Sequence, residues 1–134
     1  RSIVKIKNEK IEKKLSHWRQ VSIAACEQCG RAKIPTIHKP ESIIKYLEKL
    51  TESDKDNKII LSPEATKSFD NITSNIKQDI KVLIGPEGDF TKQELDFSIQ
   101  KGFSPIKIGS RILRTETAPI CILSILQYKY GDIV

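Results

Sequence analysis

The chain has 134 residues, enough for one domain with a real core, and its 38% apolar and 30% charged residues are those of an ordinary globular protein. No apolar run approaches the roughly 20 residues that span a bilayer, and the charged opening has no signal-peptide pattern, so a cytoplasmic protein without membrane contact is expected. The net charge of +6 is unevenly placed: residues 1–33 hold nine basic and three acidic side chains, and the rest holds fourteen of each. A localised basic face fits nucleic-acid binding, and it equally fits a solvated lysine-rich helix.

Residues 1–7 alternate apolar and basic side chains, as a strand does. From Asn8 the spacing becomes helical, with Ile11, Leu15, Trp18, Val21 and Ala25 on one stripe and Lys10, Lys13, Lys14 and His17 mostly opposite. Gly30 is placed to end that helix. Cys26 and Cys29 form a C-x-x-C pair near its end, the wrong end for a helix dipole to activate a thiol. No second pair completes four zinc ligands, so both read as structural, and Cys121 reads as a core residue. Neither His17 nor His38 has ligand partners at metal spacing, and no metal site is expected.

Pro35 and Pro40 bracket an extended link to a second amphipathic helix within 41–50, followed by a polar loop over 52–58. Three short apolar strands are predicted at 58–62, 81–85 and 104–109, each followed by turn residues and then a helical pattern. Thr91 and Glu94 supply a capping box for a helix running to about Lys101, with Gly102 as its stop. Strands alternating with helices predict an α/β domain with a largely parallel sheet, in which ligands gather at the carboxyl ends of the strands. Those ends read "LSPEA", "GPEGDF" and "GSRILRTETA". The last helix, begun near Pro119, is apolar on nearly every side from Ile120 to Tyr128, which predicts a subunit interface in addition to an internal core.

Gly85-Pro86-Glu87-Gly88 turns the backbone sharply after a strand and could present peptide N–H groups to a ligand, or could be a tight turn alone. It lacks the lysine and hydroxyl of a phosphate-binding P-loop. Arg111 and Arg114 offer planar donor forks suited to phosphate or a base edge, and Glu116 is placed either for a site or to cap the last helix.

Taken together, "AACEQCGR" (24–31), "LSPEA" (61–65), "LIGPEGDF" (83–90) and "IGSRILRTETA" (108–118) resemble, in order and spacing, the bacterial 16S ribosomal RNA (uracil-N3)-methyltransferases. Arg1-Ser2 is similar to the start of the catalytic domain there, and the resemblance extends over essentially the whole chain. It implies an α/β SPOUT fold, a mostly parallel sheet flanked by helices with a C-terminal trefoil knot, a topology that general folding rules would have rejected. It implies a homodimer that binds S-adenosylmethionine with its knot loops and methylates N3 of a uridine in 16S ribosomal RNA of the small ribosomal subunit. By that resemblance the cofactor residues are Leu61, Ser62, Pro63, Gly85, Pro86, Gly88, Ile108, Gly109, Ile112, Leu113, Thr115 and Ala118. Arg114 is the expected cationic stabiliser, with Glu87 or Glu116 as proton acceptor or orienting group. Arg1, Lys13, Lys14, Arg31 and Arg111 are the expected RNA contacts.

Two departures matter. Family members usually read "GPEGG" where this chain places Asp89, a residue that tolerates left-handed backbone but adds a carboxylate near the cofactor. The family's N-terminal PUA-like RNA-binding domain is missing from the sequence, so residues 1–134 read as the SPOUT domain alone. Three rival readings stay open: an inactive knotted RNA-binding module, a SPOUT methyltransferase acting on another RNA such as the ribose 2′-hydroxyl of transfer RNA, and a generic nucleotide-binding α/β enzyme.

Overall fold

The computed structural model describes residues 10–51, 57–69 and 79–133. The strand expected over 1–7, most of the polar loop at 52–58 and the helical pattern after the first strand lie outside them, as does Arg1. The described residues form two compact units, 10–42 and 43–133.

In the first unit, α1 (Ile11–Cys29) ends at Gly30, where Arg31 N–H donates to the Cys26 carbonyl at 2.9 Å. The helix is where its periodicity placed it, but its stripe is shifted. Leu15 and Cys26 are buried and Ser22 is half-buried, whereas Val21 (55% exposed) and Ala25 face outward. Spacing of four, three, four and four residues from Ile11 through Leu15, Trp18 and Ser22 to Cys26 fits the sequence as well as the purely apolar choice does. Small Ser22 is accepted on that face because its hydroxyl donates to the Trp18 carbonyl at 3.0 Å. Cys26 and Cys29 are free thiols, and the Cys29 thiol donates to the Cys26 carbonyl at 3.7 Å. Lys39 pairs with Glu12 at 2.5 Å, and its hydrogen bond and charge hold the Glu12 carboxyl below the usual range. Both side chains are highly exposed, so the pair contributes little to stability.

The second unit runs α2 (Ile43–Glu48), β1 (Asn57–Leu61), β2 (Ile80–Leu83), α3 (Lys92–Gln100), β3 (Ser104–Ile106) and α4 (Thr117–Tyr130). The sheet order is β2-β1-β3, and both pairings are parallel. β1 is therefore central, and its side chains alternate between two cores as the period of two requires. Ile59 joins Phe69, Ile106, Ile122 and Leu126 on the α4 side, with Leu61, Val82 and Ile84 packed beside them. Ile60 joins Leu47 and Phe103 on the other, with Leu83, Leu95 and Phe97 alongside. α2 and α3 thus cover one face and α4 the other, the layered α/β arrangement expected of parallel strands. Pro105, which has no N–H for a second neighbour, lies on the outer strand β3.

Local signals hold each piece. Thr91 and Glu94 form the reciprocal box at the start of α3, the Thr91 hydroxyl accepting from Glu94 N–H at 3.2 Å and the Glu94 carboxylate from Thr91 N–H at 2.7 Å. α4 begins two residues before Pro119, so the proline falls in the first turn, where no intrahelical partner awaits its missing N–H. Ala118, Ile122 and Leu126 are its buried row; Cys121, expected in the core, is half-buried at the edge of it. We expect Ile122→Ala, at a fully buried position, to cost about 2–5 kcal/mol, and Thr91→Ala about 1 kcal/mol, in denaturant unfolding.

Candidate active site

Because the three strands run the same way, Leu61, Leu83 and Ile106 finish at one edge of the sheet, and the chain after each must turn there. The turns enclose a cleft of about 530 Å³, the size of a small-molecule pocket. Leu61, Ser62 and Pro63 form its first wall, where buried Ser62 extends the sheet by donating its N–H to the Ile106 carbonyl at 2.9 Å.

The second wall is Ile84 through Glu87, with Asp89. Asp89 N–H closes the turn onto the Pro86 carbonyl at 2.8 Å. Asp89 then takes a left-handed backbone, φ 57°, alone among the described non-glycine residues. Its carboxylate accepts from Phe90 N–H at 2.8 Å, a local bond of the kind that makes aspartate tolerable in this region. The carboxylate lies over Gly85, where an added Cβ would come within 2.8 Å of Asp89 Oδ1 and 3.3 Å of Asp89 Cα. Gly85 is therefore required by close approach rather than by its φ.

The third wall runs from Ile106 to Glu116 and ends on Ala118. Gly109 turns it with φ 68°. The Arg114 carbonyl accepts from Thr117 and Ala118 N–H at 2.9 and 3.0 Å, so the start of α4 fixes the Arg114 backbone while its side chain stays exposed in the cleft. Glu116 stands at the N-cap position of α4, yet its side chain makes no capping bond. Its carboxylate is left to the cleft.

Arg114, Glu87 and Glu116 all line this cleft, as do all the expected cofactor residues except Gly88, which is exposed in the turn. Arg111 lines it too. Lys13 and Arg31 are exposed and Lys14 half-buried, all in the 10–42 unit. Ile84, Ile106, Lys107 and Ser110 line the cleft without having been singled out, and Asp89, expected near the cofactor, lines it too. Their signal was positional: each lies at or just beyond the carboxyl end of a strand. Among the described residues, no group of three or more His, Cys, Asp or Glu side chains could hold a metal ion, and no helix is long and apolar enough to cross a membrane.

A parallel sheet covered on both faces, with a ligand-sized cleft at its carboxyl edge, defines a small-molecule-binding α/β domain. A family model described as an RNA methyltransferase domain matches residues 1–127, and the chain belongs to that family. It is 44% identical over 121 residues to the ribosomal RNA small subunit methyltransferase E of Buchnera aphidicola subsp. Schizaphis graminum, covering 90% of this chain and 48% of the relative. A Bacillus subtilis protein of the same name is 32% identical, covering 96% and 52%. Among solved structures, a methyltransferase of Legionella pneumophila in complex with SAM matches with a TM-score of 0.86 and 39% identity over 96% of this chain and 51% of that one. The ribosomal RNA small subunit methyltransferase E of Neisseria gonorrhoeae bound to S-adenosyl methionine also gives 0.86, at 31% identity over 99% and 55%. These likenesses bear out the family resemblance of the four motifs, and the chain spans about half the length of the relatives it matches.

Gly85→Ala is expected to destabilise the domain by about 1–3 kcal/mol through overpacking. Part of that loss should return in the Gly85→Ala, Asp89→Gly double variant, which removes the nearest clashing atom. Denaturant unfolding of the four proteins of the cycle measures both effects.

Proposed function

We propose that the cleft binds S-adenosylmethionine and that the protein methylates N3 of a uridine in 16S ribosomal RNA, in the cytoplasm. The observation that carries this reading is the convergence of the three strand-end loops on one cleft together with Arg114, Glu87 and Glu116. The cleft suits the cofactor chemically. Leu61, Ile84, Ile106, Ile108 and Leu113 offer apolar surface to an adenine ring. When bound, S-adenosylmethionine supplies an electrophilic methyl group.

The remaining work falls to side chains of this chain. Uridine N3 bears a proton, so its lone pair becomes nucleophilic only as that proton leaves, and the base must first be unpaired to be reached. The Arg114 guanidinium, held at the cleft by the α4 start, stabilises the negative charge that develops on the uracil ring. Glu87 or Glu116 accepts the proton; Glu116 is favoured because its carboxylate makes no capping bond. Arg111 on the cleft rim, with Arg1, Lys13, Lys14 and Arg31, neutralises RNA phosphates.

In this reading the loops at 61–63, 85–88 and 108–114 belong to a trefoil knot, and residues 1–134 are a SPOUT domain that works beside a separate RNA-binding domain. The working form is a homodimer. Ile120, Leu123 and Tyr128 of α4 are 69%, 56% and 72% exposed, an apolar face opposite the buried row that a second copy would cover.

Arg114→Ala should leave S-adenosylmethionine affinity within about twofold by calorimetric titration while cutting methyl transfer to small-subunit RNA by about a hundredfold or more, the range found for lost transition-state charge stabilisation. Unchanged turnover in this variant would remove Arg114 from the mechanism. A folded wild-type protein that does not bind the cofactor would favour an inactive RNA-binding module.

A further inference from the structure

Resting on that cofactor reading, we propose that Asp89 biases the cleft toward the cationic methyl donor and against its neutral product, S-adenosylhomocysteine. The two ligands differ only by a methyl group and the sulfonium charge, so any group that separates them must sense one or the other.

Asp89 is placed to sense the charge. Its carboxylate is half-buried on the cleft wall, anchored through Oδ1 to Phe90 N–H at 2.8 Å and seated over Gly85. Among the described residues, no lysine or arginine pairs with it. The other charged groups of the cleft, Glu87, Lys107, Arg111, Arg114 and Glu116, are all exposed and free to be solvated. A fixed, partly desolvated charge acts more strongly on a ligand than a mobile, hydrated one. Distance weakens it without abolishing it: a cleft of about 530 Å³ is roughly 10 Å across, slightly more than the Debye length of about 8 Å at physiological salt. The carboxylate field therefore reaches the sulfonium wherever in the cleft the cofactor lies, and it vanishes from the balance once the methyl group has gone. Asp89 would then favour exchange of spent product for fresh donor.

The backbone makes the test clean. Asparagine at this position keeps an oxygen acceptor for Phe90 N–H and tolerates left-handed φ, while glycine suits that φ better than aspartate. Asp89→Asn should leave the melting temperature unchanged, and Asp89→Gly, which relieves the left-handed φ but removes the acceptor for Phe90 N–H, should shift it only slightly. Calorimetric titration of wild type and both variants with S-adenosylmethionine and S-adenosylhomocysteine gives the ratio of product to donor dissociation constants. That ratio is expected to fall about fivefold in each variant, a shift that screened Coulomb attraction across the cleft can supply. An unchanged ratio overturns the proposal, and so does equal weakening of both ligands, which would mean contact with a group they share. Failure of the folded wild-type protein to bind either ligand would instead overturn the cofactor reading beneath it.

Discussion

Parallel pairing of β1 with both β2 and β3 is the constraint on which the second unit depends. Parallel strands cannot be joined by tight hairpins; between β2 and β3 the chain returns through α3, and α2 and α4, which precede β1 and follow β3, complete the cover of the two faces. One consequence is a pair of cores separated by the thickness of β1, with Ile59 on one side and Ile60 on the other. The other is chemical. Three strands pointing one way deliver "LSPEA", "GPEGDF" and "GSRILRTETA" to a single edge, although they are separated by tens of residues along the chain. The cleft is the space those three segments leave between them.

Within the cleft, the second and third walls are held by different means. The Pro86–Asp89 turn is a local device, a backbone bond and an aspartate that secures its own left-handed conformation. Its fit depends on one absence, the side chain missing at Gly85, since the two positions compete for the same volume. The Arg114 segment is held from α4, whose first two N–H groups bond to the Arg114 carbonyl. That helix fixes the Arg114 backbone, while the guanidinium itself stays exposed in the cleft.

α4 links this site to the surface. Its inner row packs on the sheet, and its first turn sets the third wall of the cleft. Its outer row carries Ile120, Leu123 and Tyr128 into solvent in the single chain.

How much of this was legible in the sequence varies with the range of the interaction. The capping box of α3, the glycine stop of α1 and the three strands were readable because each depends on neighbours a few residues away. So were the segments that line the cleft, since turn chemistry directly after apolar runs marks strand ends, and their order carried the family. The packed stripe of α1 was misjudged, because Ser22 and Val21 satisfy the period almost equally and only the surrounding atoms choose between them. Glu116 was ambiguous for a similar reason: a carboxylate at a helix start can cap or not, and the side chain's direction decides. The coupling of Gly85 to Asp89 is likewise invisible in a string of letters, because it depends on how sharply the turn folds back on itself. By itself the sequence determined the described elements of the second unit, their order and the segments that line the cleft, all properties of local backbone preference and pattern. Tertiary structure alone decided which face of each helix is buried, which carboxylates face the cleft and which glycine is crowded by its neighbours, because those depend on contacts between atoms the chain brings together only on folding.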